Sequence, residues 1–220
     1  MKLIIFNGSP RGVSSNSILL AQQFIKGFNT VLTDEVPVYN LARLQEREIH
    51  LRAFSEADIV IFIFPLYTDC MPGIVKDFFE HLYQTGCHNE KSLGFIVQSG
   101  FMESLHSVFI ARYLEKFTFR MKCRFIGIVI KGGVEGIKIK HPLMTKQLFR
   151  EFFELGVYFA KTSNFSEKLV RKMAKPYRLS KIQIFFFRLL SLTGITNFYW
   201  NMHLKKYGVF ENRFDTPYMS

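Results

Sequence analysis

Acidic residues are scarce in this 220-residue chain, which has 18 Asp and Glu against 29 Lys and Arg and a formal net charge of +11. Such a balance opposes electrostatic docking on basic partner surfaces. Cysteine is scarcer still. Cys70, Cys87 and Cys123 are widely spaced, form no C-x-x-C pair and leave an odd count, so neither a disulfide framework nor a zinc or iron-sulfur site is indicated. A reducing, cytoplasmic setting is therefore expected. An intensely apolar stretch, Lys181 to Leu192, is interrupted by Gln183 and Arg188 well short of a bilayer span. The N-terminus begins on strand-like sequence with no polar cleavage region, so no signal peptide is expected. The Gly-Lys-Ser/Thr ending of a Walker loop and the three spaced glycines of a dinucleotide fold are also missing. A nucleoside triphosphate or a dinucleotide pyrophosphate is accordingly a poor first candidate for a ligand.

What is present is a folded, apolar chain. Its hydrophobic content of 48% and its length suit one well-cored α/β domain with a terminal extension. Strand-like runs recur at Leu3 to Phe6, Glu35 to Tyr39, Ile59 to Phe64, Leu93 to Val97 and Phe125 to Ile130. Pro37 marks the second as an edge strand. Between and after them, Ser17 to Phe28, Glu46 to Ser55, Pro72 to Tyr83, Leu105 to Phe117 and Leu143 to Ala160 place apolar residues three and four apart, which predicts helices. Alternation of this kind predicts a parallel sheet covered on both faces. In such sheets ligands bind beyond the C-terminal ends of the strands, where strand order reverses.

Three unusual loops follow three of these strands. The first, Asn7-Gly8-Ser9-Pro10-Arg11-Gly12-Val13-Ser14-Ser15-Asn16-Ser17, leads straight into a helix, whose first amides and dipole attract an anion. One helix cap needs one small polar residue; this loop supplies four serines, Asn16 and the cationic fork of Arg11, a set suited to phosphate. The second, Pro65-Leu66-Tyr67-Thr68-Asp69-Cys70-Met71-Pro72, is stiffened by proline at both ends and offers the flat face of Tyr67 to a planar ligand. Thr68 and Asp69 could orient that ligand's edge, although a capped loop with Tyr67 in the core is the bland alternative. In the third, Gln98-Ser99-Gly100-Phe101-Met102-Glu103, the Ser99-Gly100 pair permits close backbone approach and Phe101 gives a second apolar surface. Glu103 reads as an exposed helix-start residue. His81 and His106 read as helix-surface or packing residues with no metal-ligand spacing.

These loops carry a resemblance. The first is similar to the G-S-P-R and S-N pattern of the flavodoxin-like NAD(P)H-dependent FMN reductases and the related iron-sulfur flavoproteins. The second, P-L-Y-x-x-x-M-P-x-x-x-K-x-F from Pro65 to Phe78, resembles their isoalloxazine loop. It implies a flavodoxin-like three-layer α/β/α sandwich with a five-stranded parallel sheet in the order 2-1-3-4-5, spanning residues 1–160. It also implies FMN, with its phosphate held by Ser9, Arg11, Ser14, Ser15, Asn16 and Ser17 and its ring bordered by Pro65, Leu66, Tyr67, Thr68, Asp69, Cys70, Met71, Ser99, Gly100 and Phe101. The expected reaction takes hydride from NADPH or NADH through FMN to a small acceptor such as a quinone or flavin, with no catalytic side chain named. A flavodoxin-type electron carrier and a tethered flavin-binding module are the alternatives. A homodimer is implied as well. The compact cysteine cluster of the iron-sulfur branch is absent, so no iron-sulfur cofactor is expected.

Residues 161–220 have no counterpart in minimal reductases of this kind. They hold 11 Lys and Arg against 3 Asp and Glu, so the basic character belongs mainly to this helical, aromatic-rich extension. Its apolar stretch, with Phe198, Tyr199 and Trp200 beyond it, is expected to pack on the domain or a second subunit, because apolar residues lie on nearly all sides. Weak contact with an anionic membrane surface is the alternative. Nucleic-acid binding is not expected, since charge is its only support.

Overall fold

Leu3-Ile4-Ile5-Phe6 and Ile59-Val60-Ile61-Phe62 carry apolar side chains on both faces, so the strands they form must be covered twice. The computed structural model describes residues 2–86 and 91–216; Cys87 lies outside these residues, as does the side chain of Tyr199. The strands are β1 (Leu3–Asn7), β2 (Val38–Asn40), β3 (Ile59–Pro65), β4 (Ser92–Gln98) and β5 (Arg124–Lys131). All neighbouring pairs are parallel, in the order β2-β1-β3-β4-β5. Leu3 lies opposite Ile59, and Ile59 opposite Ser92. The order reverses between β1 and β3.

Five helices return the chain between and after these strands: α1 (Asn16–Phe28), α2 (Arg47–Glu56), α3 (Gly73–Thr85), α4 (Val108–Arg120) and α5 (Pro142–Thr162). The helices and strands fall within a few residues of the predicted spans. β2 starts three residues later than expected and lies at the edge: Pro37 sits outside it, where its carbonyl accepts the Ile5 amide at 3.0 Å. The predicted fourth helix starts late too, because Ser104–Ser107 forms a 3-10 turn before α4.

The core lies on both sides of the sheet. On one side α2, α3 and α4 bring Phe54, Phe79 and Leu114 against Phe6, Phe62 and Phe95, all fully buried. Those three phenylalanines are in register across β1, β3 and β4, and their rings stack at 5.3 and 5.8 Å, which adds about 0.5–1.5 kcal/mol per pair beyond simple burial. On the other side Phe24 of α1 and Phe152 and Phe159 of α5 cover Ile5, Ile61 and Ile63. α1 and α5 meet backbone to backbone. A Cβ on Gly27 would fall 2.0 Å from the Phe153 carbonyl oxygen, and one on Gly156 would fall 1.9 Å from that of Phe24.

The chain divides into two compact units, Met1–Arg178 and Leu179–Ser220. The first includes a short helix α6 (Glu167–Met173), because Phe165 and Met173 are buried with the α1/α5 core. The second holds α7 (Lys181–Leu192) and α8 (Phe198–Lys206). Among the described residues no helix is long and apolar enough to cross a membrane.

Candidate functional site

The first loop is built around a side chain that the sequence reading passed over. Asn7, wholly buried at the end of β1, donates from Nδ2 to the Gly12 carbonyl at 2.9 Å, to Asn40 Oδ1 at 2.8 Å and to Ser15 Oγ at 3.2 Å. Its Oδ1 accepts the Ser9 amide at 3.1 Å. One carboxamide thus fixes the loop at three points and ties it to the edge strand. Gly8 serves packing here: a Cβ on it would lie 2.2 Å from Val75 Cγ2 and 3.1 Å from Phe64 Cβ, so only glycine lets α3 close against the loop.

Within this frame Ser15 caps α1, accepting the Ile18 amide at 3.2 Å. Ser17, on the first turn of α1, is wholly buried, and its Oγ has no hydrogen-bond partner among the described residues. Leaving a buried hydroxyl unsatisfied costs about 1–3 kcal/mol, which makes it a donor in want of an acceptor. Arg11 is exposed and forms no ion pair among the described residues. Ser14 is exposed on the turn before α1, and its carbonyl accepts from Lys138 Nζ. Asn16 Nδ2 donates to the Val134 carbonyl at 3.1 Å.

The second loop closes on itself. Tyr67 and Cys70 exchange backbone hydrogen bonds of 2.9 and 3.0 Å, while Thr68 and Asp69 between them take φ of 49° and 58°. Both central residues of this tight turn are left-handed, a conformation that costs a non-glycine residue about 1–2 kcal/mol. Tyr67 is left 43% exposed and Cys70 is exposed, whereas Leu66 and Met71 are buried in the core. The third loop is stitched to the segment after β5: the Gly133 amide bonds the Phe101 carbonyl at 2.8 Å and the Val134 amide bonds that of Ser99 at 2.9 Å.

Ser9, Arg11 and Asn16 from the first loop, Pro65, Leu66 and Tyr67 from the second, and Ser99 and Gly100 from the third line one cleft at the C-terminal edge of the sheet. Gln98 and Glu135 complete it. Neither was singled out in the sequence, although a polar residue closing the apolar strand β4 is a visible signal, as Asn7 is for β1. Glu135 sits in the glycine-rich run after β5; a Cβ on Gly100 would come 3.3 Å from its Cβ. Ser14, Ser15, Ser17, Thr68, Asp69, Cys70, Met71 and Phe101 are absent from the lining.

His106, expected as a surface or packing residue, connects the second and third loops. Its Nδ1 is 3.4 Å from an Asp69 carboxylate oxygen and its Nε2 is 3.8 Å from one of Glu103. The Phe101 ring stacks on it at 4.4 Å. His81 instead pairs with Arg47 and the Asp77 carbonyl between α2 and α3. Among the described residues no three His, Cys, Asp or Glu side chains gather where they would hold a metal ion.

Among the other concavities, one lies apart from these loops and one takes Met102 of the third loop into its lining. The larger runs between α3 and α4 and is lined by Tyr83, Tyr113 and Arg120, with no residue of the three loops in it. In the other, Glu151 is buried: burial pushes its carboxyl up, but the Gln147 hydrogen bond and the Lys131 and Lys172 ammoniums at 3.2 and 3.3 Å outweigh that and hold it below its ordinary range. This is a fully partnered structural carboxylate joining β5, α5 and α6.

Residues 1–130 match a family model described as a flavodoxin-like fold, Flavodoxin_2. No curated protein matches the chain. Among solved structures, the Trp repressor binding protein from Bacillus subtilis is 21% identical, with a TM-score of 0.54 over 70% of this chain and 97% of its own. An FMN-dependent NADH-azoreductase from Bacillus anthracis, solved with FMN, is 17% identical, with a TM-score of 0.53 over 73% of this chain and 100% of its own. An NADPH-quinone reductase from P. pentosaceus is 19% identical, with a TM-score of 0.54 over 70% of this chain and 96% of its own. At these identities the likeness is one of fold. With its strand order and the family match over residues 1–130, the chain belongs to the Flavodoxin_2 family of flavodoxin-like proteins.

Proposed function

We propose that this chain is an FMN-dependent oxidoreductase that takes hydride from NADH or NADPH and passes electrons to a small acceptor such as a quinone or a flavin. The observation that carries this reading is the donor set at the start of α1. Ser9, Arg11 and Asn16 line the cleft together where the first loop enters α1, and the exposed Arg11 guanidinium has no ion-pair partner among the described residues. A phosphate monoester would supply the anion that Arg11 lacks. Ser9, Arg11 and Asn16 would hold the FMN phosphate, with Ser15 kept to its capping role and Asn7 positioning the loop. Tyr67, Ser99 and Gly100 would border the ring, Tyr67 giving an aromatic face and the backbone of the third loop close approach.

Bound FMN would supply the hydride-accepting chemistry, and the protein's share is binding, orientation and control of access. No side chain in the cleft is assigned a proton-transfer role. The test is anaerobic addition of NADPH, and separately NADH, to FMN-reconstituted protein while the visible flavin absorbance is followed. Rapid bleaching is expected. FMN that binds and stays oxidised would assign the fold to a carrier or tethered module reduced by another protein, and failure to retain FMN would overturn the reading.

A further inference from the structure

The second unit, taken by itself, has no core. No residue of 179–216 whose exposure is described is buried, yet two helices form there. α7 is encoded locally by a capping box: the Gln183 amide donates to Ser180 Oγ at 3.2 Å and the Ser180 amide to Gln183 Oε1 at 2.9 Å. Such a cap sets where the helix starts but leaves its apolar surface uncovered.

That surface is ordered. At about 100° per residue, Leu192, Phe185, Leu189, Ile182, Phe186 and Leu190 fall in a single arc of about 160°. These six are between 45% and 83% exposed. Lys181 and Arg188 lie side by side at one edge of the arc, and the opposite side carries Gln183 and Ser191 with the less exposed Ile184 and Phe187, at 39% and 42%. All twelve residues of α7 are exposed; the helical positions, with Lys181 and Arg188 at one edge and Gln183 and Ser191 opposite, are what set the six-residue arc apart. α8 adds Phe198 and Trp200, 69% and 67% exposed, followed by Lys205 and Lys206. Aromatics beside basic residues suit the boundary between headgroups and acyl chains.

Charge decides the occupant. Residues 179–220 hold five Lys and Arg against two Asp and Glu, so apposing two copies of this segment brings like charges together, whereas an anionic lipid surface attracts each copy. Length fixes the mode: twelve residues span about 18 Å, short of the ~30 Å hydrocarbon core, so α7 lies along the surface. We propose that α7 is an interfacial helix that seats its six-residue apolar arc in the outer acyl region of an anionic membrane, with Lys181 and Arg188 at the level of the lipid phosphates.

The test uses the full chain and co-sedimentation with extruded vesicles of phosphatidylglycerol and phosphatidylcholine, roughly three to seven, against phosphatidylcholine alone. Expected is binding to the anionic vesicles at least about tenfold tighter than to the neutral ones, weakening as salt rises. Trp200, the only tryptophan, reports the encounter as a blue shift. Leu189→Glu, at the centre of the arc, should lower vesicle binding at least about tenfold, while Phe187→Ser on the opposite side keeps it; an unchanged circular dichroism spectrum and melting temperature would show both variants folded. The proposal is overturned if anionic vesicles do not bind the parent, if Leu189→Glu binds them as the parent does, or if sedimentation velocity shows a dimer that Leu189→Glu dissociates while vesicles bind neither form.

Discussion

Two phenylalanines show how differently the two units are built. Phe62, in the middle of β3, has no exposure and stacks between Phe6 and Phe95. Phe185, in the middle of α7, is 63% exposed. The same side chain is a structural element in the first unit and an offered contact in the second. The first unit therefore carries its own stability in two buried clusters on either side of the sheet, whereas helices without buried side chains rely on caps and on whatever they meet.

The sharpest way to break that comparison is to make the same change in both places. Phe62→Ala should cost about 3–5 kcal/mol through the cavity it leaves, read as a large fall in denaturant midpoint. Phe185→Ala should stay within about 0.5 kcal/mol in vesicle-free buffer, as exposed substitutions do. Equal losses would mean that α7 is part of the folded core. Next in size is the α1/α5 crossing: Gly27→Ala should cost about 3 kcal/mol, because the added methyl meets a backbone carbonyl that cannot step aside. For a domain of this size that is about 6–12 °C in Tm.

Smaller effects separate the site from the scaffold. Arg11→Ala should weaken FMN binding by about 10- to 100-fold, the worth of charge-assisted hydrogen bonds to phosphate, and leave Tm of the FMN-free protein unchanged. Unaltered FMN affinity would remove Arg11 from the site. Tyr67→Ala should shift the flavin spectrum more than the affinity, and a spectrum identical to the parent's would contradict ring stacking.

Acid stability adds a further contrast. His50, buried against Phe6, Tyr39 and Phe78, has its imidazole pushed down by burial. The unfolded chain then takes up a proton that the folded one refuses, so stability falls as pH drops below about 6.5, the unfolded value. Glu151, held below its ordinary range, adds stability above the unfolded carboxylate value of about 4.3 that is lost as pH falls through its folded value. Both groups belong to the first unit. His50→Phe should flatten the loss that sets in below about pH 6.5, and Glu151→Gln the loss that sets in below about pH 4.3; an unchanged profile in either variant would refute the assignment.

How much of this was legible in the sequence follows from how local its causes are. The strands and helices read well, since periodicity and proline position act within a few residues. The start of α4 did not: the Ser104 and Leu105 amides donate to the Pro176 and Tyr177 carbonyls, so contacts from over 70 residues away accompany the 3-10 turn at a place where periodicity suggested helix. The three loops were recognisable from their own residues. Glu135 and Lys138 were not, because their place beside the first and third loops comes from the chain returning after β5. Asn7 was in view as part of the loop, but only the structure shows that it is the hub.

That return of the chain has a kinetic consequence. Asn16 reaches Val134 across 118 positions and Lys138 reaches Ser14 across 124, so the wall of the cleft is closed by some of the longest-range contacts in the molecule. Contacts of such separation form only after the intervening chain has been ordered. The sheet can thus exist before its site does. Asn16→Ala should accordingly refold at the parent's rate and unfold faster, and a chain caught part-way would have the flavodoxin-like scaffold with its cleft still open on the β5 side.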